Sequence, residues 1–281
     1  MVQFHDRVWG PDVSSWQGAV DWKAVKADGA SFGITKVTEG ISYVNPTAAP
    51  NWQGMKDAGL ARVQYHYARP ARLSASEESD FFLLRMLPCE PGDIIALDLE
   101  TDTRDGPFTN GAYWANSWLG KVAVQTGIRP MLYCNGGILA DANQRFQDFT
   151  AMGSTYGLWL ASWQEVFPKA YLPWEIVALW QFTNSAKVQG IDGFVDCNIF
   201  NGTLDQMRMY GKVKPAEKPA DPFEGWTNGQ FRERIGGLIS AVGYMGGDLA
   251  NRLVIAKGAK DWTMVQSVID ELRRVRTEQL G

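Results

Sequence analysis

Histidine and cysteine are scarce in this 281-residue chain, with two of the first and three of the second. His5 and His66 lie far apart, and Cys89, Cys134 and Cys197 follow no zinc-ligand spacing, so neither a metal site nor a disulfide framework is expected. The cysteines read as buried thiols, and nothing in the pattern asks for a cofactor. No apolar run reaches the length of a membrane span. The start, MVQFHDRVWG, lacks an apolar segment behind a basic one, so a chain without a signal peptide is expected. A basic excess is missing too: the formal charge is −4 and the pI is near 5.3, which excludes the electrostatic footprint of a nucleic-acid binder.

What is present is an apolar and aromatic-rich composition, 45% and 12% of residues, enough for one large core with something left over. Short β-type runs fall at 8–13, 31–37, 61–67, 93–99, 129–134, 157–162, 176–182 and 193–198. Helical patterns at 22–27, 50–58, 74–87 and 111–126 separate the earlier ones, and the stretch from Ser74 opens with a capping serine and an acidic first turn. Alternation of this kind predicts β/α units closing a parallel barrel, an open doubly wound sheet being the other arrangement. After Gly157 the intervals carry Pro168, Pro173, Asn184 and Gly190 with little helical periodicity, so the second half of the barrel is expected to be helix-poor.

The composition changes after Tyr210. Residues 211–225 hold three prolines and three lysines without an apolar run, which reads as a semi-rigid linker. Beyond it, 226–281 carries two apolar stripes, through Phe231, Ile235, Leu238, Ile239 and Val242 and through Trp262, Val265, Val268, Ile269, Leu272 and Val275. A small α-helical module is expected there. Eight Lys and Arg stand against six Asp and Glu in 226–281, and three of each in 211–225, so residues 1–210 carry a net −6. The acid is concentrated in the barrel, residues 1–210.

Its placement there is specific. The segment Asp93 to Glu100, DIIALDLE, reads as a buried strand with two carboxylates at its end. Side chains two apart share a face of a strand, with Cα atoms about 6.6 Å apart. Asp12 ends the first run, His66 the third, Trp163 the sixth, Trp180 and Gln181 the seventh, and Asp196 the last. Carboxyls crowded at one mouth cannot all ionise cheaply, so a protonated acid becomes available near neutral pH. Acids beside aromatic faces suit a sugar ring, and acid-catalysed cleavage of a glycosidic bond is the matching chemistry.

These pieces resemble the family-25 glycoside hydrolases, Chalaropsis-type lysozymes that cleave between N-acetylmuramic acid and N-acetylglucosamine. The resemblance rests on DVSSWQG, GITKVTEG, YHYARP, ALDLE, PMLYCN, LWLASW, ALWQFTN and GIDGFVDCNIFNG, in the family's order over about residues 8–202. It implies a modified TIM-like barrel of about five β/α units followed by three strands, retention of configuration, no cofactor, and bacterial peptidoglycan as substrate. Carried over by position, Glu100 is the general acid. Asp98 is either the nucleophile or the stabiliser of an acetamido-derived intermediate, and Asp12 and Asp196 are supporting acids. His66, Trp163, Trp180, Gln181, Lys36 and Tyr67 are candidate substrate-binding residues. Lys36 has Glu39 nearby as an ion-pair partner, whereas Tyr65 reads as packing. The whole architecture resembles a bacteriophage endolysin, which implies synthesis in the host cytoplasm, action on the bacterial cell wall, and a targeting or oligomerising role for 226–281 with a cell-wall receptor, a second copy or the barrel flank as its partner. A chitinase-like hydrolase and a glycan-binding protein without activity are the alternatives.

Overall fold

The computed structural model describes residues 4–100, 111–139, 149–168 and 170–212. Apart from Gly211 and Lys212, the expected linker and the expected helical module lie outside the described residues. In chain order the elements are β1 (Trp9–Val13), α1 (Trp22–Ala27), β2 (Phe32–Glu39), β3 (Tyr43–Val44), α2 (Ala48–Asp57), β4 (Ala61–Tyr67), α3 (Ala75–Arg85) and β5 (Ile94–Asp98). They continue with α4 (Gly111–Thr126), β6 (Met131–Asn135), α5 (Thr150–Gly153), β7 (Gly157–Ala161), β8 (Val177–Ala186), β9 (Val195–Phe200) and α6 (Leu204–Tyr210).

Eight strands close a barrel in the order β1-β2-β4-β5-β6-β7-β8-β9, with β9 returning to β1 and β3 appended to the edge of β2. Pairing is parallel from β1 through β8, while β9 is antiparallel to both neighbours. The expected barrel is therefore present, and so is its helix-poor second half: among the described residues no helix separates β7 from β8 or β8 from β9. Three elements escape the sequence pattern, the four-residue α5 among them. β3 is only two residues long, and α6 has a single buried side chain, Met207, too short a stripe to give a period.

Local chemistry sets the helix starts. Ser74 accepts from the Glu77 amide while the Glu77 carboxylate accepts from the Ser74 amide, a reciprocal cap that begins α3 where the sequence pattern expects it. Asp21 does the same work for α1 by accepting from the amides of Lys23 and Ala24.

The strands are buried on both faces, and alternation divides them into two apolar sets. One set, including Phe32, Ile34, Val63, Ile94, Ala96, Met131 and Leu179, fills the barrel interior. The other, including Val37, Ile95, Leu97, Leu132, Trp180 and Ile199, packs on the outward side of the strands. Gly10 of β1 has no room for a side chain, since a Cβ there would lie 2.1 Å from the Phe32 carbonyl oxygen. Helix α6 closes the barrel floor. The Tyr210 hydroxyl donates to the Pro130 carbonyl and accepts from the Gly157 amide, both at 2.8 Å, where β6 and β7 begin. With the floor plugged, the open end is the one at which the parallel strands finish.

Candidate active site

A cleft of about 230 Å³ occupies that open end, and its lining includes Asp12, Asp98, Glu100 and Asp196. Each acid arrives there by strand parity. Ile94, Ala96 and Asp98 follow one another on the inner face of β5, and Glu100 lies two residues further on. Asp12 is the inward residue near the end of β1. Asp196, expected at the end of the last strand, is instead the second residue of β9 and sits directly opposite Asp12. Because β9 runs antiparallel to its neighbours, it is the start of that strand that reaches the mouth.

The two pairs of acids differ in their surroundings. Asp98 is 6% exposed, and its Oδ1 is buried without a hydrogen-bond partner among the described residues. Burial holds its carboxyl well above the usual range; the charge of Glu100 adds to this, Lys36 opposes it, and Asp12 and Glu39 push the same way as Glu100. Asp12, by contrast, is fully engaged. Its Oδ2 accepts from Asn198 Nδ2 at 2.7 Å and from Gln181 Nε2 at 3.2 Å. Burial still raises its pKa, and these two amides and a hydrogen bond with Asp196 pull it back. Asp196 is pushed up to about 8 by burial first and then by the charge of Asp12, the hydrogen bond they share, and Glu100. Both carboxyls are thus held above the usual range, and their closeness favours a proton kept between them.

A network of amides and rings fixes that pair. The Tyr133 hydroxyl donates to Gln181 Oε1 at 3.0 Å, and the Trp159 indole donates to Asn198 Oδ1 at 2.8 Å. Gln181 and Asn198 are each held from behind, which aims their amide protons at Asp12 and, from Asn198, at the Gly10 carbonyl as well. Burial, and then the nearby charges of Asp98, Glu100, Asp12 and Asp196, push the Tyr133 phenol upward, so it stays a donor. On the opposite flank, Lys36 pairs with Glu39, and its ammonium lies 4.5 Å from the Tyr67 ring centroid. Arg69 holds the other oxygen of Glu39.

Of the expected substrate-binding residues, Lys36, Tyr67 and Gln181 line the cleft, and His66, Trp163 and Trp180 do not. His66 points outward from β4, is fully buried, and stacks on Trp118 of α4 at 5.4 Å. Its Nε2 bonds Glu78 of α3 at 2.7 Å, and its Nδ1 bonds the Thr38 hydroxyl at 2.8 Å. Trp180 also points away from the barrel interior, packing on Phe167 and Phe182, its indole donating to the Ser162 carbonyl at 2.6 Å. Trp163 is 64% exposed beyond the end of β7, outside the cleft lining. In their place come Tyr65, Tyr133, Trp159 and Trp16. Tyr65 and Tyr133 were within reach of parity arguments, since each lies two residues from an apolar side chain facing the interior; Trp16 gave no such signal.

His66 has a structural consequence that is measurable. Burial, with Lys36 adding to it, lowers its pKa from 6.5 to about 3, so the folded ring is neutral. The unfolded ring protonates below about pH 6.5. Stability is therefore expected to be lost progressively as pH falls from about 6.5 towards 3. His66→Gln, which keeps a donor for Glu78 and an acceptor for Thr38 without titrating, is expected to flatten that limb in urea unfolding. His66→Ala removes the ring donor from the buried Glu78 carboxylate and is expected to cost about 3–5 kcal/mol at pH 7.

Among the described residues no cluster of His, Cys, Asp and Glu is arranged to hold a metal ion. The arrangement offers a pair of carboxyls with unequal environments on one wall of an open cleft, and a clamped, proton-sharing pair on another.

The family model for glycosyl hydrolases family 25 matches residues 11–191, well over half of the chain. The sequence is 28% identical over 215 residues to lysozyme M1 of Streptomyces globisporus, covering 71% of this chain and 70% of that protein. It is 29% identical over 220 residues to the N,O-diacetylmuramidase of Chalaropsis sp, covering 72% and 97%. The bacterial lysozyme of Streptomyces coelicolor, solved at 1.65 Å, superposes with a TM-score of 0.67 at 25% identity, covering 73% of this chain and 97% of that one. A closed eight-stranded barrel with its acids at the open mouth, over the span that the family model matches, makes this chain a glycoside hydrolase belonging to family 25.

Proposed function

We propose that the protein is a peptidoglycan muramidase, cleaving the β-1,4 bond from N-acetylmuramic acid to N-acetylglucosamine with net retention. The observation that carries this reading is the Asp98–Glu100 pair: two carboxyls on one inner face, one of them buried with an oxygen that lacks a partner among the described residues. Glu100 protonates the leaving glycosidic oxygen. The unpartnered Asp98 oxygen favours acceptance of an N–H, and the 2-acetamido group of the reacting sugar supplies one. In that scheme the acetamido carbonyl oxygen attacks the anomeric carbon as the C–O bond breaks, and Asp98 steadies the cation that forms. Water, deprotonated by the Glu100 carboxylate, then opens the ring from the same side as the departed group. Asp12 and Asp196 hold the reacting sugar, with Lys36, Tyr67 and Gln181 around it. The names of the relatives, two of them lysozymes and one a diacetylmuramidase, support the substrate class.

The test is the identity of the new ends. Purified peptidoglycan is incubated with the protein, reduced with borohydride and analysed by mass spectrometry. Reduced muramic acid is expected. Reduced glucosamine ends would transfer the assignment to a chitinase-like hydrolase, and intact strands recovered in complex would make the protein a glycan binder.

A lytic role against the bacterial wall, as in a bacteriophage endolysin, belongs to the same proposal, with 226–281 as the segment that targets or assembles the enzyme. The support is compositional: the Pro- and Lys-rich stretch and the two apolar stripes beyond it. Truncation after Tyr210 is expected to weaken wall binding or change the assembly state; a truncated chain identical in both would remove this role.

A further inference from the structure

The turn after β1 presents a side chain that the reaction above does not use. Trp16 is 91% exposed, and it lines the cleft on the β1 side. Exposed apolar residues such as Leu84 on α3 and Val124 on α4 lie outside the cleft lining and need no account. Trp16 differs in its location and in how firmly its backbone is held. The Ser14 hydroxyl accepts from the Trp16 amide at 3.3 Å, and the Ser14 amide donates to Gln17 Oε1 at 2.9 Å. The Ser15 hydroxyl lies 2.9 Å from the Tyr43 hydroxyl, which ties the turn to β3. Gly18 ends the turn at φ 64°, a conformation that side-chain-bearing residues rarely adopt. An indole fixed in this way has only its two side-chain torsions to lose when something covers it.

Its neighbours specify what covers it. Ser14 and Gln17 of the same turn also line the cleft, so an apolar ring face is flanked by hydroxyl and amide groups. That pattern is complementary to a pyranose, apolar across its C–H face and polar at its edge. Going round the barrel, β2 and β4 stand between β1 and β5, so Trp16 and Glu100 stand on separate walls of the mouth.

We infer that Trp16 and its turn form an additional sugar subsite, in which the indole stacks on an N-acetylated hexosamine outside the two sugars that flank the scissile bond. The inference rests on the muramidase reading for the identity of the sugar. Its consequence is length-dependent recognition: a glycan strand long enough to reach Trp16 binds better than a single disaccharide.

The experiment is calorimetric titration of the full chain carrying Glu100→Gln, which binds without turnover, with soluble peptidoglycan strands of several disaccharides and with one disaccharide. Adding Trp16→Ala is expected to weaken long-strand binding about tenfold and disaccharide binding less than about twofold, the scale of one aromatic anchor. Trp16→Phe, which keeps a ring, is expected to recover most of the loss. Equal weakening at both lengths, or none at either, overturns the subsite. Length-selective loss in a protein whose parent releases no reducing ends leaves the subsite standing and removes the hydrolase reading. A parent that neither cleaves nor binds the strands removes both.

Discussion

Replacing Glu100 by Gln is expected to lower kcat on peptidoglycan by about 10³-fold, within the range for loss of a positioned general acid. The amide is nearly isosteric, so the melting temperature should stay within about 1 °C of the parent's, as for a partly exposed substitution. What distinguishes an acid from a residue that merely binds is the dependence on the leaving group. A natural glycan leaves as a poor alkoxide and needs the proton, whereas an aryl glycoside of the same sugar leaves as a stable phenolate and does not. The variant is therefore expected to lose far less of the bond-breaking step on the aryl substrate, with the later water attack becoming limiting. An equal loss of kcat/KM on both substrates, a quantity that reports only the steps through bond breaking, would assign Glu100 to binding. Loss of folding would show separately in the melting curve.

That site was partly legible in the amino-acid sequence, and the limits have physical causes. Asp98 and Glu100 stand out because carboxylates two apart at the end of an apolar run are costly unless a cavity receives them. Period-2 alternation also separates His66 from Tyr65 and Tyr67. It cannot say which set faces the interior, because nearly every residue of β4 is buried, and a strand buried on both faces shows no polar side. His66 was accordingly expected in the cleft and Tyr65 in the packing, and the structure places them the other way round. Trp180 misleads for the same reason. Asp196 was found by its residue type, but its position at a strand start follows from the antiparallel return of β9, and strand direction leaves no mark on composition. Trp16 is one of 12 tryptophans, and exposure is a property of the folded turn alone.

Asp98→Asn is expected to trade activity for stability. Loss of its carboxylate removes the group that steadies the developing cation, and turnover should fall about 10²–10³-fold, the scale seen when one preorganised electrostatic partner is deleted. Folding should respond in the opposite sense. In the unfolded chain Asp98 ionises near 3.9, whereas burial and the charge of Glu100 hold its folded pKa well above that. The folded state thus binds the proton more tightly, so between the two pKa values stability falls as pH rises, and it stays reduced at higher pH. Asn carries no such penalty. The variant should therefore melt above the parent at pH 7, by about 2–4 °C for each kcal/mol relieved, and the difference should vanish below about pH 4. Lys36 limits the gain, since its ammonium favours the ionised carboxylate in the parent. A variant that is inactive and also less stable at pH 7 would mean that Asp98 is held in place by interactions it needs for folding. The reverse result, inactive and more stable, would identify the buried carboxyl as a group whose cost to the fold is offset only by what it does to the substrate.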